Sequence, residues 1–129
     1  MLAVDTNVIV RLLTGDDARQ FPRAKALMDS HQVFVPLTVI LETDWVLRSN
    51  FGYGAREVAE ALRAFCGLPQ VTIEGGSAVF AALGLAEAGV DFTDALHLSM
   101  SLHCSSLATF DRRFVKFAHA AGFDQVVEA

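Results

Sequence analysis

The sequence is poor in cysteine and proline, and each shortage excludes a class of protein. Cys66 and Cys104 are the only cysteines, and neither lies in a Cys-x-x-Cys or Cys/His spacing. This argues against a disulfide scaffold and a thiolate zinc site, so we expect two buried free thiols in apolar helices. The three prolines are scattered and no low-complexity tract occurs, which leaves no candidate linker between domains.

Basic side chains and long apolar runs are also scarce. Ten Lys and Arg face fifteen Asp and Glu, a net charge of −5, which argues against nucleic-acid binding through a broad basic surface. No uncharged apolar run approaches the roughly 18 residues of a membrane span. Asp5 and Arg11 interrupt the region where a signal peptide would be apolar. We therefore expect a cytoplasmic protein without membrane contact.

The content of apolar residues is sufficient for a folded core. Hydrophobic residues make up 53% of 129 residues, a length typical of one domain. Short apolar runs alternate with segments of helical periodicity. The predicted strands are 2–4, 33–35, 70–74, 106–110 and 125–127, and the predicted helices are 8–15, 20–30, 38–50, 55–66, 77–88, 91–104 and 111–121. This order predicts an α/β fold with a parallel sheet and helices on both faces.

Two aspartates follow predicted strands directly. Asp5 ends the first apolar run and Asp111 ends a later one. Both should lie at the carboxyl ends of parallel strands, where open α/β sheets bind their ligands. The alternative is that each aspartate only caps the helix that follows it.

Glu42 lies in an apolar segment, 39–47. We expect the helix face carrying Ile40, Leu41 and Trp45 to face the core, where an ionised Glu42 would need a partner or a metal. The alternatives are an exposed polar stripe shared with Asp44, or a pair with a distant arginine.

Asp94 and Asp91 are three residues apart at the start of a predicted helix. This spacing also fits a capping arrangement that favours the positive end of the helix dipole. His97, one turn further on, is expected to be a satisfied, partly buried histidine rather than a ligand.

Considered together, these acids predict a cation site. Four carboxylates gathered at one sheet edge would repel one another unless a cation lay among them. Oxygen ligands without cysteine or paired histidine select Mg²⁺ or Mn²⁺ over zinc. Such a site suits hydrolysis of a phosphodiester bond.

The same segments resemble those of a known family. The motifs 5–7 (DTN), 41–47 (LETDWVL), 91–97 (DFTDALH) and 109–114 (TFDRRF) are similar in order and spacing to those of PIN-domain ribonucleases. Within that family the chain is most similar to VapC-type toxins of toxin–antitoxin pairs. The resemblance implies one PIN-like nuclease domain over residues 1–129, a three-layer α/β/α sandwich with a central, mostly parallel sheet of four to five strands.

The resemblance also implies an active site. Its catalytic and metal-binding residues, for Mg²⁺ or Mn²⁺, would be Asp5, Glu42, Asp94 and Asp111, with Asp91 as a further acid near the metal. Asn7 and Thr109 match polar positions that orient carboxylates or water.

The implied partners are RNA, an antitoxin and a second copy of the chain. Arg11, Arg112, Arg113 and Lys116 are candidates to hold RNA phosphates. The resemblance implies a cognate VapB-like antitoxin whose C-terminal segment lies in an apolar groove. The strongly apolar helices at 39–47 and 79–85 add an expectation of a homodimer.

Two other functions stay open. An aspartate-based phosphohydrolase also begins with Asp after the first strand, but it needs an acid two residues later, where this chain has Asn7, and a lysine in a later motif. A non-catalytic interaction module would leave Glu42 without a role. Loss of activity in the presence of a metal chelator would distinguish a metal-dependent ribonuclease from such a module.

Overall fold

Strands and helices alternate along the chain as the sequence pattern predicts. The structure is a computed structural model that describes residues 1–129, with five strands and seven helices. The strands are β1 (Leu2–Ala3), β2 (Val33–Val35), β3 (Val71–Ile73), β4 (Leu107–Thr109) and β5 (Val126–Glu128). The helices are α1 (Thr6–Thr14), α2 (Gln20–Ser30), α3 (Leu37–Phe51), α4 (Ala55–Cys66), α5 (Gly76–Glu87), α6 (Phe92–Ser99) and α7 (Arg112–Ala120). The predicted α/β class with parallel strands is confirmed.

The chain divides into two compact units, Met1–Gly76 and Ser77–Ala129. In the first unit the sheet has the order β1-β2-β3, and both pairings are parallel. Helix α1 packs on α2 and α3, and α3 packs on α4. The core of this unit is built from fully buried aliphatic side chains, which include Ile9, Val33, Val35, Ile40, Leu47, Val58 and Leu62.

The second unit contains a parallel pair, β4-β5, in which Leu107 is opposite Val126 and Thr109 is opposite Glu128. Helix α7 packs on both strands. The five strands of the chain therefore hydrogen-bond as a three-stranded and a two-stranded sheet.

Helix α6 is shorter than the periodicity predicts, because it ends at Ser99 and not near residue 104. The N–H of Met100 is shared by the carbonyls of Leu96 and Leu98, and tight turns follow through Ser101. Serine competes for backbone hydrogen bonds and favours such turns over a continued helix.

The expectation of two buried cysteines is half wrong. Cys66 ends α4 and is buried, whereas Cys104 lies after the end of α6 and is exposed. Both thiols are free.

The longest helix has 15 residues, and none combines the length and the apolar composition that crossing a membrane requires.

Candidate functional site

In the first unit, two predicted site residues lie at the start of α1. Asp5 is the N-cap of this helix, and its Oδ1 accepts a hydrogen bond of 2.7 Å from the Thr6 N–H. The buried hydroxyl of Thr6 donates a hydrogen bond to Oε1 of Glu42 on α3. Because α1 packs on α3, one side chain next to Asp5 holds the carboxylate of Glu42. Asn7, the following residue, is exposed.

The predicted burial of Glu42 is wrong. Glu42 is exposed and Trp45 is 61% exposed, whereas Asp44 is only 2% exposed and pairs with Arg48 at 2.9 Å. The proposed polar stripe of Glu42 and Asp44 is wrong for the same reason. The buried face of α3 is rotated from the predicted one and consists of Ile40, Thr43, Asp44 and Leu47.

In the second unit, two aspartates cap helices. Oδ1 of Asp91 accepts a hydrogen bond of 3.1 Å from the Asp94 N–H at the start of α6. Oδ1 of Asp111 accepts one of 3.0 Å from the Phe114 N–H at the start of α7. The capping geometry is therefore present at both positions. Capping by Asp111 uses only one carboxylate oxygen, so its Oδ2 stays available to a ligand.

Thr109 orders the turn that carries Asp111. Its hydroxyl accepts a 3.0 Å hydrogen bond from the Asp111 N–H, and its carbonyl accepts one of 2.9 Å from the Ala129 N–H. The Thr109 hydroxyl therefore fixes the backbone of the turn between β4 and α7.

Three carboxylates line one small cavity of about 50 Å³ in the second unit. They belong to Asp91, Asp94 and Asp111, and Arg113 contributes the only basic side chain. Gly89 forms part of the wall with a φ of 106°, a conformation that side chains with a Cβ rarely adopt. A Cβ there would lie 3.4 Å from the ring of Phe117.

Asp94 is the electrostatically unfavourable member of this cluster. It is half-buried, and its carboxylate has no hydrogen-bond or ion-pair partner. Burial raises its pKa, and the negative charges of Asp91 and Asp111 raise it further. His97 is exposed, not partly buried as predicted, and only opposes this shift through its charge. Asp94 thus lies where a cation would be favourable.

A family comparison identifies the fold and its usual chemistry. The sequence model of the PIN domain matches residues 2–120, which extend over both units. The chain belongs to the PIN-domain family. Members of this family are typically metal-dependent nucleases. No curated protein matches the sequence closely enough to serve as a relative.

The donor chemistry of this PIN domain fits a divalent cation, although the carboxylates are not gathered into a closed ligand set. No group of three or more His, Cys, Asp or Glu side chains is arranged to hold a metal ion. The available donors are nevertheless carboxylate oxygens, which are the ligands that Mg²⁺ and Mn²⁺ prefer. The unpartnered carboxylate of Asp94, facing two like charges, is the observation that fits such an ion.

The candidate phosphate-binding cations of the PIN domain differ in how they are paired. Arg11 pairs with Asp16 at 3.2 Å, and Arg112 pairs with Glu128 at 2.9 Å. Arg113 and Lys116 have no acidic partner and lie over one aromatic ring, that of Phe117, at 5.3 and 5.9 Å from its centre. The last two are therefore the better placed to bind an anion.

Sequence reasoning missed two residues of this PIN domain. Thr6 positions the carboxylate of Glu42, and its place between Asp5 and Asn7 in the first motif was the available signal. Phe110 is 86% exposed between Thr109 and Asp111. An aromatic side chain between a strand end and a candidate ligand was the signal for the second.

Proposed function

We propose that this PIN domain is a metal-dependent endoribonuclease that hydrolyses RNA phosphodiester bonds with Mg²⁺ or Mn²⁺. The observation that carries the proposal is the acidic cavity, in which the half-buried Asp94 has no partner and faces the charges of Asp91 and Asp111. Repulsion of this kind destabilises a fold unless a ligand relieves it. Because the family match extends over residues 2–120, residues 1–129 act as a single nuclease domain in this proposal.

The carboxylates proposed to bind the metal and to act in catalysis are Asp5, Glu42, Asp94 and Asp111, with Asp91 as a further candidate. Support for Glu42 is its hydrogen bond from Thr6, and support for Asp111 is the oxygen that capping leaves available. The chemistry that such an ion supplies when bound is polarisation of the phosphodiester oxygens and a lowered pKa for an attacking water.

The other polar residues orient the carboxylates and hold the substrate. Thr109 fixes the backbone of Asp111 through its hydroxyl, and Asn7 has the corresponding place after Asp5. Arg113 and Lys116 bind RNA phosphates in this proposal, since neither forms an ion pair with a carboxylate. Arg11 and Arg112 contribute less, because each already pairs with a carboxylate.

Cleavage of a single-stranded RNA tests the nuclease proposal. The wild type should cut in Mg²⁺ or Mn²⁺ and stop when a chelator is added. Asp94→Asn and Asp111→Asn should lose more than the roughly 10- to 100-fold that is typical of changes around a metal site, because each removes a ligand charge. Asp124→Asn is the matched control, since Asp124 is exposed and lies outside the cavity. Cleavage that persists in chelator would refute the proposal.

The biological role proposed here is that of a VapC-type toxin neutralised by a cognate VapB-like antitoxin. The first unit contains an open groove of about 200 Å³ along α1 and α2. Its apolar lining is supplied by Val8, Ala24 and Leu27, and Arg11 and Arg23 also line it. An apolar groove of this kind suits an amphipathic segment of a partner. If a purified toxin–antitoxin complex cleaved RNA as fast as the free toxin, this role would be wrong.

A homodimer is the proposed assembly. Trp45 on α3 is 61% exposed and Phe80 on α5 is 36% exposed, so each apolar helix leaves an aromatic side chain in solvent. Burying such side chains against a second copy would stabilise the assembly. Light scattering at micromolar concentration should give twice the mass of 13.9 kDa. A monomeric mass would contradict the dimer but not the nuclease.

A further inference from the structure

Phe110 is the most exposed large apolar side chain of the chain, at 86%. It follows β4 directly, and alternation along the strand places it on the same side as Ala108, which is also exposed. No other aromatic ring stacks on it and no cation lies over it. An isolated exposed apolar side chain is common on protein surfaces, so its position must supply the argument.

The backbone on both sides of Phe110 is held in place. The Thr109 carbonyl accepts from the Ala129 N–H at 2.9 Å, and the Thr109 hydroxyl accepts from the Asp111 N–H at 3.0 Å. Asp111 in turn accepts from the Phe114 N–H at 3.0 Å. The ring is therefore presented from an ordered turn, so little conformational entropy is lost when a ligand binds to it.

The charges near Phe110 in the sequence favour a nucleic acid as the ligand. Asp111, the next residue, lines the acidic cavity. Arg113 and Lys116 on the helix that follows carry positive charge without acidic partners. An exposed ring that is followed within two helical turns of sequence by cations without acidic partners matches a nucleotide, whose base stacks while its phosphate pairs with a cation.

A protein ligand is the less favoured alternative. Phe110 is flanked by Thr109 and Asp111 in sequence, and Arg112 follows, so its neighbours along the chain are polar. The other large exposed apolar side chain of this sheet is Val127, 38% exposed and opposite Ala108 in the parallel pair. Val127 supplies a control, because a protein partner that docked on this sheet would contact Val127 as well as Phe110.

We propose that Phe110 is a stacking platform for an unpaired RNA base beside the acidic cavity. The proposal rests on the proposed ribonuclease function and assigns the residue that selects single-stranded over duplex substrate. Every base offers an aromatic face, so the platform recognises strandedness and not base identity. Loss of one stacked base typically weakens binding by about 5- to 150-fold.

The test measures binding of a single-stranded RNA oligonucleotide to the full chain in chelator, where cleavage does not interfere. Phe110→Ala and Phe110→Leu should each weaken binding by about 5- to 150-fold, whereas Phe110→Trp should restore it. Val127→Ala should bind like the wild type, and the same oligonucleotide as a duplex should show no dependence on residue 110. In Mn²⁺, the loss should be seen mainly in KM rather than kcat.

Equal binding by the wild type and Phe110→Ala would overturn the proposal. It would also be overturned if Phe110→Leu bound RNA like the wild type. A third contrary result would be that Phe110→Ala and Val127→Ala both change the mass of the protein assembly in light scattering without changing its affinity for RNA. That last result would identify a protein-docking surface. Absence of cleavage in Mn²⁺, with the dependence of binding on Phe110 intact, would contradict the nuclease function alone.

Discussion

Replacing Asp94 with asparagine removes one charge from the acidic cavity and changes the side-chain volume little. Burial and the charges of Asp91 and Asp111 raise the pKa of Asp94, so its ionised form is less stable in the folded protein than in the unfolded chain. Asp94→Asn should therefore melt no lower than the wild type in chelator. The N-cap hydrogen bond of α6 is unaffected by this change, because Asp91 supplies it.

The same substitution should remove most of the stabilisation by metal. An ion that binds only the folded state at 100 times its Kd adds about 2.7 kcal/mol. For 129 residues the unfolding entropy is about 0.27 kcal/mol/K, so this gain raises Tm by about 10 °C in the wild type. Mn²⁺ should raise the Tm of Asp94→Asn by much less, because a ligand charge is missing.

Thermal unfolding in Mn²⁺ and in chelator measures both effects, and two variants serve as controls. Asp124→Asn removes an exposed charge outside the cavity and should respond to Mn²⁺ like the wild type. Asparagine caps a helix about as well as aspartate, so Asp91→Asn should keep the cap of α6. A smaller rise in Tm with Mn²⁺ for this variant would therefore show that Asp91 binds the metal as well as capping the helix.

One pattern of results would refute the reasoning. If Asp94 acted only through the helix dipole, Asp94→Asn would lose about 0.3–1 kcal/mol in chelator and keep its full response to Mn²⁺. If Asp94→Asn had a lower Tm than the wild type in chelator but the same rise in Tm with Mn²⁺, Asp94 would be excluded from metal binding.

Two further predictions concern groups whose burial the structure assigned. Asp44→Ala removes the buried carboxylate that pairs with Arg48 and should lower the free energy of unfolding in urea by about 1–3 kcal/mol. Glu42→Gln, at an exposed position, should lower it by less than about 1 kcal/mol, and similar losses would contradict the assigned helix phase. Burial raises the pKa of the Cys66 thiol to about 11, so at pH 8 a thiol reagent should label one cysteine per native chain, the exposed Cys104, and both after unfolding. Rapid labelling of both in the native protein would contradict the burial of Cys66.

Much of the local structure could be predicted from the sequence. The alternation of short apolar runs and helical segments predicted every strand and helix to within a few residues, except the end of α6. The caps at Asp91 and Asp111 were predictable as well, because an N-cap depends on residues within one turn of the helix start. The motifs that contain these residues also led to the family that the PIN-domain match then showed.

The phase of α3 was not predictable in the same way. Apolar residues occur on all sides of α3, so its periodicity does not single out one buried face. From the sequence, the buried acid could therefore have been Glu42 or Asp44. The exposure of Cys104 and of Phe110 likewise depended on where α6 and β4 end.

The sequence by itself determined the element order, the helix caps and the supply of carboxylates, because these depend on neighbouring residues. Only the tertiary structure decided which side of α3 is buried and that the Thr6 hydroxyl holds Glu42, since both depend on the packing of α1 and α4 against α3. It also decided which negative charges act on Asp94, because one of them belongs to Asp111, which is distant from Asp94 in sequence. Burial and electrostatic repulsion are sums over neighbours in space, and those neighbours are known only once the chain is folded.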